Sequence, residues 1–147
     1  MRKAVITRRQ SGIAMIEFAL ILPLLLLVTF ITTEFGRAFY EYNLITKSTR
    51  DAVRYLSVQA PNTHTAETAN LIVYGNTSGT GAALTRSLTL AMVQAPVWQT
   101  TGTNPLINTV TVGVANYRFQ PLSNSVFGIT FGPLNFGVIT ASMRAPL

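Results

Sequence analysis

The chain has no cysteine, a single histidine (His64) and a single aspartate (Asp51) among its 147 residues. Without cysteine there are no disulfides and no thiol chemistry, and the redox compartment stays open. With one histidine and one aspartate, neither a Ser-His-Asp triad nor a histidine metal cluster has its parts. Glu34 and Glu41 lie on the same side of one helix, but nothing opposite them suggests a substrate pocket. His64 follows a proline turn and reads as a solvated loop residue. The expectation is a chain that is not an enzyme, with no cofactor, no metal and no small-molecule substrate.

Charge is scarce in one further place. Gly12 to Thr33, GIAMIEFALILPLLLLVTFITT, carries only Glu17. At a helical rise of about 1.5 Å per residue this run is about 30 Å long, enough to cross the hydrocarbon core of a bilayer. A core helix of a soluble domain would show a polar stripe, and Phe18 to Val28 has none. The formal charge of +6 invites a nucleic-acid reading, yet Arg2, Lys3, Arg8 and Arg9 supply four of the eleven basic residues before Gly12. The remainder, seven basic against five acidic, is only +2, so no nucleic-acid partner is expected. Those four cations instead place the amino terminus in the cytoplasm and the chain beyond about residue 34 outside.

A secretory signal also begins with basic residues and an apolar run, but its apolar region is about 7–15 residues and ends at a small-x-small site. TFITTEFGRAFYEY, which follows here, has no convincing A-x-A. The better cut lies before the run, between Gly12 and Ile13. Glu17 needs a reason to be where it is, since a charge at the centre of a membrane helix costs on the order of 2.5–3.5 kcal/mol. It can stay solvated near the headgroups or be protonated. Alternatively, a cut after Gly12 makes Ile13 a new amino terminus one helical turn from Glu17, so that ammonium and carboxylate neutralise one another within a chain or between neighbours.

Arg8 to Leu20, RRQSGIAMIEFAL, resembles the processing site and amino-terminal helix of TadE-like proteins, the pilin-like components of tight-adherence (Flp-type) pilus systems. FITTEFGRAFYEY (30–42) and TRDAVRY (49–55) resemble the same family's extended helix, and the tail from Val110 to Arg144 does so weakly. The resemblance implies a prepilin peptidase that cuts after Gly12 on the cytoplasmic face, with Glu17 needed for processing or for packing in an assembly. It also implies a bacterial inner-membrane location, partnership with other pilin-like subunits and pilus assembly proteins, and a role as minor pilin or pseudopilin.

The remainder divides in order. Residues 1–12 read as a basic leader without an apolar face, 13–33 as the transmembrane segment, bent near Pro23, and 34–58 as an amphipathic continuation of the same helix. Phe35, Phe39, Tyr42, Ile45, Thr49, Val53 and Leu56 form its apolar face. Lys47, Arg50 and Arg54 cluster on one flank, and Glu34, Glu41 and Asp51 lie opposite with Arg37. Either the stripe packs on this chain's own outer domain and the charges are solvated, or Arg50, Arg54 and part of the stripe meet neighbouring subunits.

Residues 59–147 are expected to form a small extracytoplasmic α+β domain. A short helix follows Thr63 or Thr65, with Ala66, Ala69 and Val73 on one side, and ends near Gly75. Gly75 to Gly81 lacks the lysine of a phosphate-binding loop and reads as a mobile surface loop. Strands are expected over Leu84–Val93, Thr109–Phe119 and Phe136–Met143, with Phe127 and Phe131 in the loop between the last two as core contacts or an exposed patch. The fold class is therefore α+β, a long amino-terminal helix packed on a small antiparallel sheet. A reading from another class is an uncleaved single-pass anchor that presents a small extracytoplasmic binding domain.

Overall fold

The structure is a computed structural model that describes residues 11–145. Of the leader expected over residues 1–12, the first ten, with Arg2, Lys3, Arg8 and Arg9, lie outside the described residues. From Ser11 a single helix, α1, runs to Leu56. At about 1.5 Å per residue it is about 70 Å long. Helical structure continues on both sides of Pro23. The hydroxyls of Thr29, Thr32 and Thr33 donate back to the carbonyls of Leu25, Val28 and Thr29 at 2.8, 2.9 and 2.8 Å, which leaves no free hydroxyl donor in this apolar turn. At the far end the Ser57 hydroxyl closes on the Arg54 carbonyl at 2.8 Å, and the Ser57 and Gln59 N–H groups bond to Val53 and Leu56. These bonds occupy carbonyls that a helix end leaves open.

A second helix, α2 (Thr65–Tyr74), ends at Gly75, whose left-handed backbone lets its N–H reach the Leu71 carbonyl. Its amino-terminal cap is His64 rather than Thr63 or Thr65; of the expected Ala66, Ala69 and Val73, only Val73 is buried, on a face with Thr68 and Ile72. The glycine-rich segment after it is a surface loop, and it is internally bonded. The Asn76 amide donates to the Thr80 carbonyl at 2.8 Å, and its oxygen accepts the Thr80 N–H at 3.1 Å.

The strand expected over Leu84–Val93 is not there. Leu90–Met92 forms a single 3-10 turn, and β1 covers Val93–Thr101. The alternation of Leu88, Leu90 and Met92 misleads because Leu88 is buried while Leu90 is exposed. Pro96 lies inside β1, where an edge position and a register shift between Gln94 and Val97 accommodate a residue with no N–H. β2 (Ile107–Val114) is central, and β7 (Ile139–Arg144) is the other edge, in an antiparallel order β1-β2-β7. Val110, Val112 and Val114 point to one face, and all three are buried.

That face packs on α1 and α2. Ile45, Thr49, Ala52, Val53 and Leu56 of α1, with Ile72 and Val73 of α2, complete the core around the three valines. The expected helix stripe holds only from Ile45 to Leu56. Phe35, Phe39 and Tyr42 remain exposed, and the lower helix turns Glu34 and Ala38 inward instead.

Between β2 and β7 the chain leaves the sheet and forms an arm. β3 (Arg118–Phe119) pairs with β6 (Leu134–Asn135), and between them β4 (Ser125–Val126) and β5 (Ile129–Thr130) make a hairpin. The arm runs along α1 toward its apolar half. Tyr117 meets Glu41, Phe119 stacks on Arg37, the Leu122 N–H meets Glu34, and the ring of Phe131 lies 5.3 Å from that of Phe30. The fold class is α+β, with a long helix against a small antiparallel sheet.

Candidate functional site

Gly12 and Ile13 lie in the first turn of α1 on exposed surface, and Glu17 is exposed one turn further on. The spacing is the one that brings an amine at residue 13 and a carboxylate at residue 17 to the same side of a helix. Around them Ile13, Met15, Ile16, Phe18, Leu20, Ile21, Leu24 and Leu25 are exposed. α1 is the one candidate membrane span among the described residues. Its most apolar window has a mean hydropathy of 2.5, and none of that window is buried inside the molecule. A soluble domain does not leave so large an apolar patch open to water, and a buried core helix would be covered. The helix is long and apolar enough to cross a membrane once.

The outer half of α1 carries a second cluster. Arg37 donates to both carboxylate oxygens of Glu34, at 3.1 and 2.9 Å, and lies 3.8 Å from Glu41 on its other side. Its guanidinium also stands over the Phe119 ring, 5.3 Å from the centroid, so the cation is held by two carboxylates and a π face together. Glu34 accepts the Leu122 N–H at 3.3 Å. The Tyr117 hydroxyl donates to Glu41 at 2.6 Å and lies 3.1 Å from the Thr85 hydroxyl. Burial, with the Glu41 carboxylate beside it, pushes the Tyr117 pKa up from 10.0 to about 12, because both disfavour a second negative charge there.

Glu34 and Glu41 are therefore not part of a solvated face. They point to the arm, and the spacings Glu34–Arg37 and Arg37–Glu41 are the helix neighbours i,i+3 and i,i+4. That spacing was the available signal. What the sequence does not state is that Tyr117 and the Leu122 N–H, some eighty residues away, close on it. The cluster is a joint: it fixes the arm to the helix at three successive levels.

Arg50 and Arg54 are exposed, as are Lys47 and Asp51. With Glu34 and Glu41 turned inward, the opposite acidic flank is reduced to Asp51, and the exposed outer half of α1 is basic. Gly12, Ile13 and Glu17 form one group at the amino-terminal end; Arg50 and Arg54 stand near the other end of the rod, about 50 Å away by helical rise. The structure does not bring the two groups together. Of the two loop aromatics, Phe127 is exposed at the hairpin tip and is no core contact, whereas Phe131 packs on Phe30. Among the described residues no group of three or more His, Cys, Asp or Glu residues could hold a metal. His64 is exposed, with its ring edge-on to Tyr55 at 6.0 Å.

Residues 12–54 match the family model described as TadE-like protein. The matched segment is α1 almost to its end, and it contains Gly12, Ile13, Glu17, the Glu34–Arg37–Glu41 cluster, Arg50 and Arg54. No curated protein and no solved structure matches the chain. The match lies on the residues that carry the resemblance read from the sequence.

Proposed function

We propose that this chain is a minor pilin or pseudopilin of a tight-adherence pilus machine, a structural subunit rather than a catalyst. The observation that carries the reading is α1 itself. Its first half is an unburied apolar rod and its second half is clamped to a small domain, and the family match spans both. A subunit of this shape can lie in the bacterial inner membrane, amino terminus in the cytoplasm and domain outside, and can pass into an assembly by lateral helix contacts without refolding.

In this reading a prepilin peptidase cuts after Gly12, and Ile13 becomes the mature amino terminus. Glu17 then offers its carboxylate to that amine or to the amine of a neighbour, which offsets the cost of both charges in an apolar surrounding. The exposed basic flank with Arg50 and Arg54 contacts an acidic surface of another pilin-like subunit or assembly protein.

The experiment is mass spectrometry of the intact protein purified from membranes of its native host, beside a Gly12→Leu variant. A chain starting at Ile13, absent from the variant, is the expected result. A chain of unchanged length at its amino terminus in both would sink the pilin reading in favour of an uncleaved anchor.

A further inference from the structure

We infer that the β4–β5 end of the arm is a membrane foot, a second, shallow contact with the outer leaflet of the bilayer that α1 crosses. It rests on α1 spanning the membrane and not on any processing step.

The first observation is position. From Tyr117 to Phe131 the arm meets α1 at Glu41, Arg37, Glu34 and finally Phe30. Each contact is nearer the apolar end than the one before, a descent of about 16 Å at about 1.5 Å per residue. Phe30 is in the last turn of the apolar run that ends at Thr33. A run of about 30 Å against a hydrocarbon core of about 30 Å puts that turn at the outer boundary. The hairpin lies at the end of this descent, so it stands at headgroup level.

The second observation is composition. Phe119 to Met143 is twenty-five residues without a single charge, flanked by Arg118 and Arg144. Within it Leu122, Phe127 and Ile129 are 64%, 61% and 46% exposed. An apolar patch in a charge-free stretch beside a membrane run has no hydrated ion to strip on entering the interface. The other residues near the tip, Ser123, Asn124, Ser125 and Thr130, are neutral hydrogen-bonding groups suited to headgroups.

The third is backbone. Ser125 pairs with Thr130 and Val126 with Ile129, the Phe131 N–H bonds to the Asn124 carbonyl at 2.8 Å, and the Ser123 hydroxyl covers the Ser125 carbonyl at 2.7 Å. Backbone groups satisfied internally are what shallow insertion requires. The turn itself is Phe127-Gly128, both at positive φ, 51° and 79°. Such a turn ordinarily takes Asn-Gly, and a bulky ring there is strained. An aromatic at the apex in spite of that strain fits an anchor at the lipid–water boundary, where aromatic rings are preferred.

The chain has no cysteine, so a nitroxide can be placed at one position at a time in the full-length protein. Ile129→Cys and Leu122→Cys are the probes, since both leave Phe127 in place. Leu25→Cys and Ser78→Cys are the references for lipid and for water. In vesicles of phosphatidylethanolamine and phosphatidylglycerol, the ratio of collisions with oxygen to collisions with a water-soluble nickel chelate is read at each site. The expected ratio at 129 and 122 is several-fold above that at 78 and below that at 25. A ratio equal to that at 78, with 25 in lipid, overturns the foot and leaves the anchor intact. A ratio at 25 equal to that at 78 overturns both. Spin–spin broadening at 129 that vanishes on dilution with unlabelled chain would show a second copy on the patch, and this also overturns the foot.

Discussion

Replacing Tyr117 by phenylalanine tests the joint between helix and arm, because the hydroxyl is buried and donates to a carboxylate at 2.6 Å. A hydrogen bond to a charged group is worth about 1.5–3 kcal/mol, so near neutral pH the variant should lose roughly 2 kcal/mol. The same hydroxyl carries a pH dependence of known sign. Burial first, and the Glu41 carboxylate second, raise its pKa from 10.0 to about 12. Above pH 10 the unfolded chain gives up this proton while the folded chain keeps it. The stabilisation is therefore whole below pH 10 and is lost as pH rises through about 12. Two units at about 1.36 kcal/mol each amount to ~2.7 kcal/mol. Urea titrations of the detergent-solubilised full chain and of Tyr117→Phe, at a series of pH values, give the difference directly. Every other group titrates in both proteins, so the gap between them isolates Tyr117. It should be about 2 kcal/mol near neutrality and close between pH 10 and 12. The tyrosinate difference spectrum of the two proteins should have its midpoint near 12. A gap that does not change with pH, or a spectral midpoint at 10, would refute the assignment of the joint.

Glu34→Ala removes the acceptor of Arg37 and of the Leu122 N–H at once, leaving a half-buried guanidinium with Glu41 as its remaining carboxylate. The same urea titration should show a loss of about 2–3 kcal/mol, and a change below about 0.5 kcal/mol would mean that Glu34 is solvated after all. Arg50→Glu with Arg54→Glu changes only exposed groups, so stability should stay within about 0.5 kcal/mol, while on the proposed function co-purification with Tad pilus proteins falls. Unchanged co-purification removes the basic flank from the proposed contacts.

Much of this architecture is legible from the residues. The apolar run and the spacing of Ile45, Thr49, Val53 and Leu56 announce one long helix with a buried outer stripe, and Val110, Val112 and Val114 announce a strand with one buried face. The stripe fails below Ile45 because periodicity weighs Phe35 and Phe39 as core and Glu34 as surface. Arg37 pairs with Glu34 from the same helix, but the cover that turns this face inward comes from the arm, remote in sequence, whose Leu122 N–H adds a second donor to the buried glutamate. Leu88, Leu90 and Met92 show the converse failure, an alternation with no strand opposite to pair with, whereas β1 tolerates Pro96 because its edge is bulged. At the amino-terminal end, Gly12, Ile13 and Glu17 are legible as a spacing, and the processing and pairing proposed for it would involve an enzyme and neighbours that lie outside this chain.

The joint of Glu34, Arg37 and Glu41 with the arm also sets a phase. Because the domain is held to the helix at several levels, it cannot swivel about the rod, so the direction in which Glu17 points is tied to the direction in which the domain faces. At about 100° per residue, one residue inserted between Pro23 and Phe30 would turn Glu17 through more than a quarter circle relative to the domain, while lengthening the molecule by only about 1.5 Å. In a helical assembly, where every subunit meets its neighbours at fixed angles, the number of residues between Glu17 and Glu34 is then a setting of azimuth more than of length.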